Sequence, residues 1–147
     1  MNSQLQISFK KTNPAALTPT FQTTGAAGFD LALIEDLTIP PRSFAKTSTG
    51  LIIQVPTGYF LLITSRSSNS LKKGIALANG VGIIDSDYCG PSDVIGLIIE
   101  NITDAPVHLQ AGDRVAQGLV LPVPAVTFTE LTGDVSAPDR GGFGSTG

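Results

Sequence analysis

The sequence predicts an all-β protein of one domain, a sandwich or barrel with at most one short helix and a flexible C-terminal arm. Short apolar segments recur along the chain and are separated by turns rich in Gly and Pro. The 16 Gly and 10 Pro disfavour helix interiors. The 147 residues are 41% hydrophobic, enough for one core and too short for two domains.

Leu5, Ile7 and Phe9 alternate with Gln4, Gln6 and Ser8, and period two predicts a half-buried strand. Residues 12–25, with their Thr, Pro and Ala, read as loop. A short strand is expected within residues 25–33, where Asp30 is the only charge in an apolar stretch. That carboxylate is expected either to pair with an arginine or to orient an active-site arginine or a metal-bound water. Residues 37–39 form a strand stopped by Pro40-Pro41. Residues 46–55 and 58–64 read as two strands joined by a Pro56-Thr57-Gly58 turn. Residues 67–73 hold the only expected helical turns. Ser67 and Ser68 read there as a plain N-cap or, beside Arg66, as an anion site.

Two apolar runs, 75–78 and 81–84, flank Asn79-Gly80, the signature of a two-residue hairpin. The hairpin would have Arg66, Ser67 and Ser68 at its root and Asp85 and Tyr88 at its other end. That geometry suits a small ligand lying along it, with anionic groups at the Arg-Ser end. Further strands are expected at 94–101, 106–109, 114–121 and 125–128. Residues 129–147 are polar and Gly-rich, a flexible arm beyond a β domain of residues 1–128.

The net charge of −3 argues against polymeric nucleic acid as a partner. One cysteine, Cys89, precludes an intrachain disulfide and fits a reducing compartment. No signal-peptide pattern opens the chain, and no apolar run approaches the roughly 18 residues that span a bilayer. The expectation is an intracellular, cytoplasmic protein with no membrane partner. No His/Cys cluster has zinc spacing, so His108 and Cys89 read as ordinary packing residues.

The stretch Arg66-Ser67-Ser68, followed by Gly82-Ile83-Ile84-Asp85-Ser86-Asp87-Tyr88-Cys89-Gly90, resembles the second and third motifs of the dUTPases. Ala27-Gly28-Phe29-Asp30-Leu31 resembles the first motif, and Ala111-Gly112-Asp113-Arg114-Val115-Ala116-Gln117 the fourth. Arg140-Gly141-Gly142-Phe143-Gly144-Ser145-Thr146-Gly147 resembles the fifth. The five motifs keep the family's order and cover the chain nearly end to end. The resemblance implies a jelly-roll-like β barrel or sandwich that hydrolyses dUTP to dUMP and diphosphate. It implies a homotrimer whose sites are shared between subunits and closed by the C-terminal arm. The metal it implies is Mg²⁺, held mainly by the substrate's phosphates, with Asp30 acting indirectly through water.

Particular residues take roles on the same ground. Asp85 would activate the attacking water, with Asp87 as runner-up and a turn-stabilising residue as its plainer reading. Asn79 would contact uracil, alongside the backbone of Ile83 and Ile84 and of Gly96. Tyr88 would pack on the sugar and exclude a 2′-hydroxyl. Phe143 would stack on the base. Arg66, Ser67, Ser68, Gln117, Arg140, Gly144, Ser145 and Thr146 would bind phosphate, since arginine's planar fork suits it. Three departures from the family pattern stand out. Ser65 replaces a common proline, extra residues surround Pro91-Ser92-Asp93, and Arg140 and Phe143 are closer together than usual.

Two other functions fit parts of the sequence. The dCTP deaminases resemble this chain in fold and in their Arg-Ser-Ser turn, but their catalytic glutamate falls here on Ile98, with Glu100 displaced by two residues. A non-catalytic binding or regulatory module of the same fold would be expected to lose Asp85 or Phe143, and both are present.

Overall fold

Alternating side chains build two antiparallel sheets that pack face to face in a computed structural model describing residues 5–141. One sheet runs β2 (Phe29–Ala32), β11 (Arg114–Pro122), β6 (Tyr59–Ser65), β8 (Val81–Ile84). The other runs β4 (Phe44–Ser48), β9 (Gly96–Asn101), β7 (Ile75–Leu77). Two strand pairs flank them. They are β1 (Ser8–Lys11) with β5 (Leu51–Gln54), and β3 (Leu37–Ile39) with β10 (Val107–Leu109). Each of these sheets is open, so the architecture is a jelly-roll-like sandwich rather than a closed barrel among the described residues.

The core lies between the sheets. Leu61 and Ile63 of β6 point in, and so do Leu97, Ile99 and Asn101 of β9. They meet Leu31, Ile39, Ile53, Ile75 and Val115. Asn101 is fully buried and satisfied: its Nδ2 donates to the carbonyls of Ile39, Pro40 and Ala105, and its Oδ1 accepts from the Thr103 N–H.

Four expectations are corrected. The first strand starts later, at Ser8, and is exposed along its whole length, because β1 pairs only with β5. The stretch 46–55 is two strands, not one. Gly50, at φ +66°, adopts a backbone that L side chains rarely take and breaks the run between β4 and β5. The two apolar runs around Asn79-Gly80 do not pair with each other. β7 pairs with β9 and β8 with β6, so the turn carries the chain from one sheet to the other. Each run found its ladder elsewhere, and a gap opens between them. Residues 125–128 form no strand, and Val126 and Phe128 are exposed, because no edge within the described chain receives them. The single helical element among the described residues is a π-helical turn, Asn69–Lys73, within the expected range.

Candidate active site

The gap opened by the Asn79-Gly80 turn is a cavity of about 290 Å³. Asn79, Gly82, Ile83, Ile84, Tyr88 and Gly96 all line it. Within the turn, Gly80 N–H donates to Leu77 O and Val81 N–H to Asn79 O. The Asn79 side chain donates to Val81 O at 2.9 Å, so it is a turn residue and a cavity residue at once. Gly96 faces outward, where a Cβ would meet Thr47 O at 3.4 Å and Lys46 Cε at 3.5 Å. Tyr88 is half-exposed and its hydroxyl donates to Val94 O at 3.4 Å. Asp85 sits between two lining residues, Ile84 and Tyr88, and the Tyr88 N–H donates back to Asp85 O at 3.1 Å. Its carboxylate is exposed and in no ion pair among the described residues.

A second cluster forms where β2, β11 and β6 lie side by side. Sheet register sets Asp30 opposite Gln117, and Gln117 opposite Thr64. Asp30 Oδ1 accepts from Arg66 Nε at 2.9 Å. Asp30 Oδ2 faces Arg114 Nη1 at 3.5 Å, yet it is buried and accepts no hydrogen bond. Gln117 Nε2 donates to Ser65 O at 3.4 Å. Ser68 stands at the start of the π-helical turn without making a side-chain cap, so the plain N-cap reading fails for it. Ser67 is exposed.

The two clusters do not meet within one chain, which corrects the expectation of a single ligand lying along the hairpin. Ile84 pairs with Leu61, so Asp85 stands beside Phe60, while Arg66 lies just past the opposite end of β6. From residue 60 to residue 66 at ~3.3 Å per residue is about 20 Å. Arg66 is tied back to Asp30 and does not swing across that gap. Arg140 is exposed and forms no ion pair among the described residues. Phe143, Gly144, Ser145 and Thr146 lie outside the described residues.

Sequence reasoning missed Lys46, Leu77, Val94 and Ile98 as cavity residues. Lys46 and Ile98 are register partners on β4 and β9. The outward phase of an alternating strand was the available signal for both. Gln22 was missed too; its Oε1 accepts from Arg114 Nη1 at 2.9 Å and holds that arginine beside Asp30.

Asp113 ties the turn before β11 to the π-helical turn. Its Oδ2 accepts from the Gln110 N–H at 2.9 Å, and its Oδ1 lies 3.2 Å from Lys73 Nζ, at the end of the π-helical turn. Burial pushes its carboxyl up, but the Gln110 N–H and the Lys73 ammonium outweigh that and leave it below its ordinary value. A depressed folded value stabilises the fold above the unfolded carboxylate range, and that contribution is lost as pH falls through it. Asp113→Asn should therefore cost about 1 kcal/mol at neutral pH, a figure kept small by water at its exposed edge. Urea unfolding should show the gap between the proteins shrinking once pH falls below ~4. A gap independent of pH would assign the loss to something other than the charge.

Among the described residues no group of three or more His, Cys, Asp or Glu is placed to hold a metal ion. No described helix is long and apolar enough to cross a membrane.

Comparison with known proteins fits this arrangement. A family model described as dUTPase matches residues 15–147. The deoxyuridine 5'-triphosphate nucleotidohydrolase of Wolinella succinogenes is 43% identical over 145 residues, covering 98% of this chain and 95% of that protein. The dUTPase structure from Streptococcus mutans superposes with a TM-score of 0.75 at 35% identity, over 82% of this chain and 98% of the other. The Staphylococcus bacteriophage 80alpha dUTPase with dUpNHpp reaches a TM-score of 0.86 at 24% identity, over 98% and 99% of the two chains, a likeness of fold.

Proposed function

The chain belongs to the dUTPase family and hydrolyses dUTP, and we propose that it does so by Asp85-activated attack of water on the α-phosphorus, giving dUMP and diphosphate. The observation that carries this reading is the cavity between the two sheets, with an uncommitted carboxylate beside it. Uracil is satisfied by the main chain of Ile83, Ile84 and Gly96 and by the Asn79 amide. Asp85 takes the proton of the water it positions. Arg66, Ser67, Ser68 and Gln117 hold the triphosphate, and Asp30 aims Arg66 through their 2.9 Å contact. Arg140, Phe143, Gly144, Ser145 and Thr146 close the site as part of an arm, residues 129–147.

With no protein ligand set among the described residues, Mg²⁺ would be held by phosphate oxygens and waters. The buried Asp30 Oδ2, which accepts no hydrogen bond, fits one from such a water. The ion would neutralise triphosphate charge when bound. The separation of about 20 Å between Asp85 and Arg66 supports a homotrimer in which these two groups of one site come from different subunits. An apolar Ile98 stands where a deaminase would need its glutamate. Incubation with dUTP or dCTP and Mg²⁺, followed by product identification, tests the reading. Release of dUMP and diphosphate from dUTP supports it, and deamination of dCTP would overturn it.

Sugar selection follows from Tyr88. A ring at the cavity mouth leaves no room for a 2′-hydroxyl, so UTP should be a very poor substrate. Tyr88→Ala should narrow the kcat/KM ratio of dUTP to UTP by one to two powers of ten, roughly the 1–3 kcal/mol that a close-packed site extracts from one added group. An unchanged ratio would show that another group reads the sugar.

A further inference from the structure

We propose that Asn69 is a positioning residue, which locks the Arg66-Ser67-Ser68 turn onto strand β11 with Ser65 as its partner; the proposal rests on the phosphate-binding reading of that turn. The segment from Ser65 to Ser70 reads Ser, Arg, Ser, Ser, Asn, Ser and offers no apolar side chain to anchor it. Leu71, the next residue, is 90% exposed. Asn69 alone is buried within the π-helical turn, at 1% exposure. Beside the ion pairs of Arg66 with Asp30 and of Lys73 with Asp113, the buried attachment of this turn to the fold runs through one amide.

The amide is aimed at both neighbours of the turn. Its Nδ2 donates to Val115 O at 2.6 Å and to Ser65 Oγ at 3.1 Å. Val115 O can only accept, which fixes the orientation of the amide. The Asn69 main-chain N–H donates to Arg66 O at 3.0 Å, closing the turn over the arginine itself. Val115 follows Arg114, and Ser65 O accepts from Gln117. One residue thus sets Arg66, the strand bearing Arg114 and the partner of Gln117 in fixed relation. Its Oδ1 is buried with no hydrogen bond, a cost that an apolar side chain of similar size would not carry. The amide's contribution is its two donations.

The experiment compares binding of a non-hydrolysable dUTP analogue with binding of dUMP, by calorimetry on the full-length enzyme. Asn69→Leu should weaken the triphosphate by about tenfold and leave dUMP within about twofold, because the loss falls on triphosphate contacts alone. Ser65→Ala should cause a smaller loss of the same kind and add little in the Asn69→Leu background, the mark of a coupled pair. Ser65→Thr keeps the hydroxyl and should bind like wild type. Equal losses for both nucleotides, or no loss in a folded variant, would overturn the proposal. Should Asn69→Leu fail to fold, Ser65→Ala carries the same differential test. Arg66→Ala separates the two levels. If it retains triphosphate affinity, the phosphate reading falls and the lock with it. If it loses affinity while Asn69→Leu and Ser65→Ala do not, only the lock falls.

Discussion

Asp85→Asn should lower turnover by roughly 10²–10⁴-fold, the range a positioned general base contributes. The substitution keeps the size of the side chain and its capacity to hydrogen-bond, and removes only the proton acceptor. Binding of a non-hydrolysable dUTP analogue should persist, because the cavity is lined by its neighbours and not by Asp85 itself. The carboxylate is free for this work, since no described cation pairs with it. Asp87, exposed two residues further on, is the control: Asp87→Asn should leave turnover near normal. Near-normal turnover in Asp85→Asn with loss in Asp87→Asn would exchange the two roles.

Mixing two inactive chains should restore activity. In the proposed trimer, an Asp85→Asn chain alone or an Arg66→Ala chain alone would leave all three sites defective. In co-refolded mixed trimers, a site takes Asp85 from one subunit and Arg66 from another. With random 1:1 mixing about a quarter of all sites, unmixed trimers included, receive both intact residues, so activity should approach about a quarter of wild type. The expectation rests on the register of β6 and β8, which puts the two groups about 20 Å apart in one chain, farther than one triphosphate reaches. A site built within one chain gives no intact combination and no recovery. Activity at the level of the two parents, in samples shown to contain mixed trimers, would refute sharing. The same design with a chain truncated before Arg140 tests whether the arm also acts in trans.

Most strands were legible as short apolar runs bounded by turns, as in 94–101, which holds β9. Pairing was less legible, because it depends on contacts distant in sequence. Asn79-Gly80 marked a turn correctly, but nothing local says that Ile75 will pair with Asn101 rather than across the turn. The break at Gly50 was hidden because its neighbours are all compatible with a strand and only its positive φ betrays it. Of the residues that line the cavity, motif-borne ones such as Ile83, Ile84 and Tyr88 were named from the sequence. Those supplied by sheet geometry, such as Lys46 and Ile98 at the cavity and Gln22 beside Arg114, were not, because their proximity is created by folding. Ser65, a departure from the family pattern, gains a partner only through folding, where its hydroxyl accepts from the buried Asn69.

Strand β8 ends its sheet, and its outer edge faces the cavity with no strand beside it among the described residues. On the proposed reading, a base lodged there would be read by peptide groups, which every residue type supplies. Replacing Ile83, 63% exposed, by another strand-forming residue should leave discrimination between bases intact. A side-chain scan would accordingly score this edge as silent even where its main chain selects the base. Backbone-directed chemistry, such as replacing a single amide by an ester, is what would make the edge visible.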